Sequence, residues 1–170
     1  NISKTLTNTG VPMQNSSCLL CREPLTNSIL YETPHIFLVS CPEYKIPGYC
    51  MIFPKRHVEK FWELTTDEYQ DLFIIAQKSM TFLEERIAID VVYLLSFGEV
   101  TRHFHFHIFP RHKWMKDLYM QHFLSKPSDP IDGGQMFSVI RETCRLSEKE
   151  SSCHHTLSVY RALKESLETQ

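Results

Sequence analysis

The segment His103-Phe-His-Phe-His107 constrains this chain more than any other stretch of its sequence. Large apolar residues alternate there with polar ones. That period of two belongs to a strand lying with one face on a core, and it predicts a strand over Arg102–Phe109. Phe104, Phe106 and Ile108 then enter the core, while His103, His105 and His107 project from the other face. Same-face neighbours on a strand lie about 6.6 to 7 Å apart, so the three imidazoles cannot close on one phosphorus or metal centre. They must divide the labour. His105, flanked on both sides, is best placed as a nucleophile, because a neutral imidazole nitrogen attacks phosphorus when its other nitrogen donates to a carbonyl. Its neighbours would orient it or stabilise charge on the phosphate. A surface strand with three solvated imidazoles is the alternative.

The rest of the chain supplies a frame for that strand. Ser28–Glu32, Ile36–Cys41 and Gly48–Phe53 are β-like runs, and the Pro/Gly-containing link from Pro42 to Gly48 makes the last two antiparallel neighbours. Thr65 and Glu68 have the spacing of a capping box, opening a helix over Thr66–Arg86 with Leu72, Ile75, Ala76, Ser79, Met80 and Leu83 on one face. Val91–Phe97 is an apolar run of strand length. Beyond Pro110, helices are predicted over Trp114–Phe123, Met136–Arg145 and Ser152–Leu167, with a loop over Lys126–Gly134. Trp114, Tyr119 and Phe123 share a stripe that would pack this extension on the domain. The order of elements indicates an α+β fold with a mostly antiparallel sheet.

At 170 residues the chain is the size of one domain, and 42% hydrophobic with 22% charged residues excludes a disordered segment or a coiled coil. A formal charge of −2 gives no support to nucleic-acid wrapping or to adhesion on an anionic membrane. No apolar run approaches the roughly 20 residues of a membrane span, and no signal-peptide pattern opens the chain, so a soluble, cytoplasmic protein is expected. The first residue is Asn1 rather than Met, as in a trimmed chain. Residues 1–17 are polar and read as a flexible arm. Nine His and six Cys stand out. The cysteines are not spaced as in a small secreted scaffold, and reduced thiols are expected. Cys18-Leu-Leu-Cys21 has a zinc-knuckle spacing that equally serves a redox pair or two unconnected thiols.

His103-Phe-His-Phe-His-Ile-Phe109 resembles the motif of the histidine triad (HIT) superfamily, in which hydrophobic residues separate and follow three histidines. The likeness extends back through Phe37-Leu-Val, Pro47-Gly-Tyr-Cys-Met-Ile-Phe-Pro-Lys-Arg-His57 and the Leu-Thr-x-x-Glu helix start. It covers about Cys18 to Lys113. It implies a five-stranded antiparallel sheet, commonly paired in a homodimer, and hydrolysis or transfer at the α-phosphate of a nucleotide. By position, His105 matches the residue that becomes nucleotidylated, and His107 assists at the phosphate. In relatives with an N-terminal Cys-x-x-Cys, a structural zinc is completed by two histidines that match His57 and His103. Cys18, Cys21, His57 and His103 are thus the implied ligands, and such a closed site leaves no open position for catalysis.

The chain departs from the family pattern in two places. Glu99 and Val100 stand where many members have Gln and then Ser or Thr; Glu99 would repel phosphate if ionised, or carry a proton if its pKa were raised. Ser40 stands where a ribose-binding Asp or Asn is usual. Arg102, Arg111, His112, Lys113 and Lys116 make a locally positive rim suited to a phosphorylated small molecule, Arg102 being the candidate substrate contact. The expected organisation is an arm over 1–17, a HIT-like catalytic domain over 18–113 and a helical extension over 114–170 packed on that domain. The expected function is a hydrolase or nucleotidyl transferase acting through a covalent His105 intermediate on dinucleoside polyphosphates or nucleoside phosphoramidates. A catalytically silent nucleotide-binding scaffold and a zinc module for single-stranded nucleic acid are the alternatives; the complete triad argues against the first, and the neutral charge against the second.

Overall fold

The computed structural model describes residues 17–22, 28–123, 126, 129–145 and 154–169, so the arm predicted over 1–17 lies, apart from Ser17, outside them. Strands β1 (Ile29–Glu32), β2 (Ile36–Ser40), β3 (Cys50–Pro54), β4 (Val92–Leu95) and β5 (Phe106–Pro110) form one sheet in the order β1-β2-β3-β5-β4. Every neighbouring pair is antiparallel. The Pro42–Gly48 link does join β2 to β3, with Ser40 opposite Cys50. Gly48 takes a positive φ of 82°, which a glycine adopts without steric cost.

Helix α1 (Thr66–Ile87) begins at the predicted capping box: Thr65 accepts from the Glu68 backbone N–H, and the Glu68 carboxylate accepts from the Thr65 N–H at 2.8 Å. Its buried face carries Leu72, Ile75, Ala76, Ser79 and Leu83 as expected, with Phe82 in place of the half-buried Met80. Three helices follow β5: α2 (Lys113–Phe123), α3 (Gly133–Thr143) and α4 (His154–Glu168).

The sheet is a middle layer with a core on each face. On one side Leu72, Ile75 and Leu83 of α1 and Val159 and Leu163 of α4 pack with Phe104 and Ile108. On the other, Met115 and Tyr119 of α2 and Met136, Phe137 and Ile140 of α3 pack with Tyr49 and Phe109. Each fully buried side chain of this kind contributes about 1.5–3 kcal/mol relative to exposure. Tyr119 is the only member of the predicted aromatic stripe in that core; Trp114 and Phe123 are about 40% exposed, and Met115 takes the buried place. Helix α3 is docked along its length. Asp132 caps it by accepting from the Gln135 N–H, the Tyr119 hydroxyl donates to Gln135 Oε1, and the Lys45 N–H donates to the Cys144 carbonyl at 2.7 Å.

Several boundaries differ from expectation: β3 starts at Cys50 rather than Gly48, β4 ends at Leu95 rather than Phe97, α3 spans Gly133–Thr143 rather than Met136–Arg145, and the start of β5 moves furthest among the strands. β5 starts at Phe106, because the Phe104 N–H donates to the Val58 carbonyl at 2.6 Å rather than to a neighbouring strand. The inside-outside alternation of residues 103–108 survives all the same. Among the described residues, no helix is long and apolar enough to cross a membrane.

Candidate active site and metal centre

Four side chains far apart in sequence meet beside the start of β5. In the turn after Ser17, the Cys21 and Arg22 N–H groups both donate to the Cys18 carbonyl, turning both thiols to one side. His57 follows β3, where Arg56 donates to both Glu68 carboxylate oxygens at 2.9 and 2.8 Å and holds the segment to the start of α1. His103 Nδ1 lies 3.5 Å from Cys18 Sγ and 3.4 Å from Cys21 Sγ, and His57 Nδ1 lies 3.3 Å from Cys21 Sγ. All four ligand atoms fall within 4.8 Å of one another. Tetrahedral zinc with bonds of about 2.3 Å to sulfur and about 2.0 Å to nitrogen would place S and N about 3.5 Å apart. The donor set therefore fits zinc. His103 Nε2–H donates to the Pro54 carbonyl at 2.9 Å, which fixes the tautomer and leaves Nδ1 as the ligand nitrogen.

The other two triad imidazoles turn to each other. His105 Nδ1–H donates to the His103 carbonyl at 2.7 Å, so its Nε2 carries a lone pair. His107 Nε2 lies 3.2 Å from that atom, and the shared hydrogen must come from His107. His107 Nδ1 is then bare and accepts from the Tyr49 hydroxyl at 2.9 Å. Burial drives the Tyr49 phenol well above its ordinary range, which keeps the proton on this donor. Burial also lowers His105, with Arg141 adding to the effect against the opposing His103 carbonyl, and lowers His107 to about 3, with His105 and Arg141 contributing. Both imidazoles are neutral at neutral pH, so the His105 lone pair is available.

His105 and His107 open into a cavity of about 430 Å³ whose walls include Leu20, Met51, Phe97, Phe137 and Arg141. A second cavity of about 440 Å³ adjoins the cysteine–histidine cluster. The two share Leu19 and the Glu99–Thr101 loop.

A family model for the HIT domain matches residues 22–114. The chain belongs to the HIT family. The nitrilase and fragile histidine triad fusion protein NitFhit of Caenorhabditis elegans is 33% identical over 88 residues, which are 49% of this chain and 20% of that protein. The bis(5'-adenosyl)-triphosphatase of Dictyostelium discoideum is 32% identical over 93 residues, 52% of this chain and 62% of that one. The match thus spans less than two thirds of either relative. The NitFhit crystal structure superposes with a TM-score of 0.50 at 25% identity, covering 81% of this chain and 27% of that one. A hypothetical histidine triad nucleotide-binding protein of Sulfolobus tokodaii gives 0.53 at 17% identity over 84% of each chain, a likeness of fold.

In this HIT chain the sequence-derived candidates are distributed unevenly. His105 and His107 share the first cavity with Glu99, while Arg102 lines only the second. Ser40 ends β2, where its hydroxyl donates to the Ser28 carbonyl at 3.2 Å; it lines neither cavity. Of the positive rim, Arg111 donates to the Tyr93 hydroxyl at 3.3 Å and His112 donates to the Pro47 carbonyl at 2.8 Å. Cys41 and Cys50 are buried free thiols. Two residues at the triad have no counterpart among the sequence candidates: Tyr49, which lies within the family-like stretch from Pro47 to His57 but is given no role there, and Arg141, which lies beyond the matched domain.

Proposed function

We propose that this chain is a nucleotide hydrolase or nucleotidyl transferase acting at the α-phosphate. The observation that carries the reading is the tautomer chain from Tyr49 through His107 and His105 to the His103 carbonyl, which leaves a buried, neutral nitrogen aimed at its partner beside an open cavity. His105 Nε2 attacks the α-phosphorus. The N–P bond forms as the bond to the leaving oxygen breaks, and the electron pair departs with the leaving group. The resulting cationic imidazole is stabilised by the His103 carbonyl at Nδ1, while His107 Nε2–H turns to donate to the phosphoryl oxygens. Water or another acceptor then attacks phosphorus, the N–P bond breaks with its pair returning to Nε2, and the acceptor's proton passes to solvent. The name of the Dictyostelium relative supports dinucleoside polyphosphates as substrates, with nucleoside phosphoramidates as the second class.

Zinc on Cys18, Cys21, His57 and His103 would be structural. It would tie the start of the described chain to the strand that carries the nucleophile. A homodimer is also proposed: β4 is an edge strand, and its Leu94 shares an apolar recess with Phe73, Ala76 and Met80 of α1. The extension over 114–170 acts as one unit with the domain over 18–113, since α3 and α4 each complete one of its cores. The test compares wild type with His105→Ala on a panel of nucleotides, scoring release of the nucleoside monophosphate and a phosphorus adduct on His105. Turnover and an adduct in wild type only are expected; neither with any nucleotide would overturn the enzyme reading.

A further inference from the structure

Arg141 is the cation of the triad cavity. It reaches that cavity from α3, outside the domain that carries the histidines. Its guanidinium lies 4.9 Å from the Tyr44 ring centroid and 5.4 Å from that of Phe137, and Phe137 in turn lies 5.0 Å from the His107 ring. Two aromatic rings therefore lie against the group. Among the described residues no carboxylate forms an ion pair with it; it donates to the uncharged Tyr44 hydroxyl, and its buried Nε–H has no hydrogen-bond partner. A partly buried guanidinium with no opposing charge and one unpaired N–H is costly to keep unless an anion completes it. The docking of α3 at both ends holds it in place before any ligand arrives.

We infer that Arg141 binds the anionic phosphate chain attached to the α-phosphorus, selecting phosphoanhydride substrates over nucleotides whose leaving group is neutral. In the rest of the wall, Leu20, Met51 and Phe97 are apolar, Thr101 and Ser138 offer uncharged hydroxyls, Glu99 brings a carboxyl group, and Arg102 lies on the other cavity, so Arg141 is the one cationic side chain among the lining residues. The inference rests on the reaction proposed above and narrows its substrate class.

The experiment compares full-length wild type, Arg141→Lys and Arg141→Gln on a diadenosine polyphosphate and on adenosine phosphoramidate. With Arg141→Gln, kcat/KM for the polyphosphate falls about 30-fold, the loss expected for one charge-assisted fork, while the phosphoramidate changes less than about 3-fold. Arg141→Lys recovers part of the difference. Equal losses on both substrates, a larger loss on the phosphoramidate, or no loss on either would overturn the inference. Inorganic tripolyphosphate gives a readout independent of turnover: it should raise the melting temperature of wild type and not of Arg141→Gln. If wild type cleaves neither substrate but shows that shift, the hydrolase reading fails and the anion site stands; if no shift appears, the anion site fails as well. Should Arg141→Gln not fold, the same comparisons with Arg141→Lys decide.

Discussion

Tyr49→Phe removes one oxygen and keeps the ring that packs against Tyr44, Phe109 and Phe137. What disappears is the donor to His107 Nδ1. Tyr49 is fully buried and His107 only 5% exposed, so water does not replace the lost partner. Leaving a buried acceptor unpaired costs about 1–3 kcal/mol. Taking about 2 kcal/mol, a chain of this length loses about 4–8 °C in melting temperature. The functional effect is separate. Without the phenol, nothing holds the His107 proton on Nε2, and a proton on Nδ1 would point a second lone pair at His105. A tautomer preference weakened by about 1.4 kcal/mol lowers kcat about 10-fold, with little change in KM, because no group that binds substrate is altered. Nitrogen-15 imidazole spectra report which nitrogen carries each proton: wild type should show His105 protonated on Nδ1 and His107 on Nε2, and the variant a mixture at His107. A wild-type His107 protonated on Nδ1 would refute the reasoning. So would a variant that melts early yet keeps the same tautomers and rate, since packing alone would then explain the oxygen.

Cys18→Ser should abolish stoichiometric zinc and lower the melting temperature by an amount matching several kcal/mol; undiminished zinc by metal analysis would refute the ligand assignment. Gly48→Ala combines a left-handed φ of 82° with a methyl that would overlap Leu83 Cδ2 and touch Val159 Cγ1 at 3.5 Å. It should cost about 2–4 kcal/mol, and thermal denaturation should show partial recovery when Leu83→Val is added. At Glu68, burial raises the carboxyl pKa, but the hydrogen bonds from Arg56 and the Thr65 N–H prevail and hold it below the usual range. A depressed folded pKa makes its contribution present above the unfolded value and lost as pH falls through the folded one. Glu68→Gln should therefore be about 1 kcal/mol less stable than wild type at pH 7, and the gap should close below about pH 4; a gap constant across an acid titration of stability would disprove the linkage.

Period and spacing along the chain carried much of this architecture. The alternation at residues 103–108 reports which side chains face the core, and the Thr65–Glu68 pair marks the start of α1, because both effects act within a few residues. The start of β5 was not legible. A local pattern extends the strand to Arg102, but the chain there bonds to Val58 and turns His103 toward thiols 82 and 85 residues earlier in sequence. Tyr49 and Arg141 escaped for the same reason. Tyr49 reads as an ordinary residue entering a strand, and Arg141 as the polar side of an amphipathic helix; each gains meaning only where α3 packs on the sheet face that bears the histidines.

That packing also orders events during synthesis. Everything the nucleophile needs for its own tautomer has been translated by residue 107, so His105 can be set as soon as the sheet forms. The guanidinium arrives 36 residues after His105, on a helix that must still leave the ribosome and dock on Tyr119 and Lys45. A nascent chain halted between these points would hold a primed imidazole with an open roof, and the finished cavity is a late product of translation rather than of the domain that names the family.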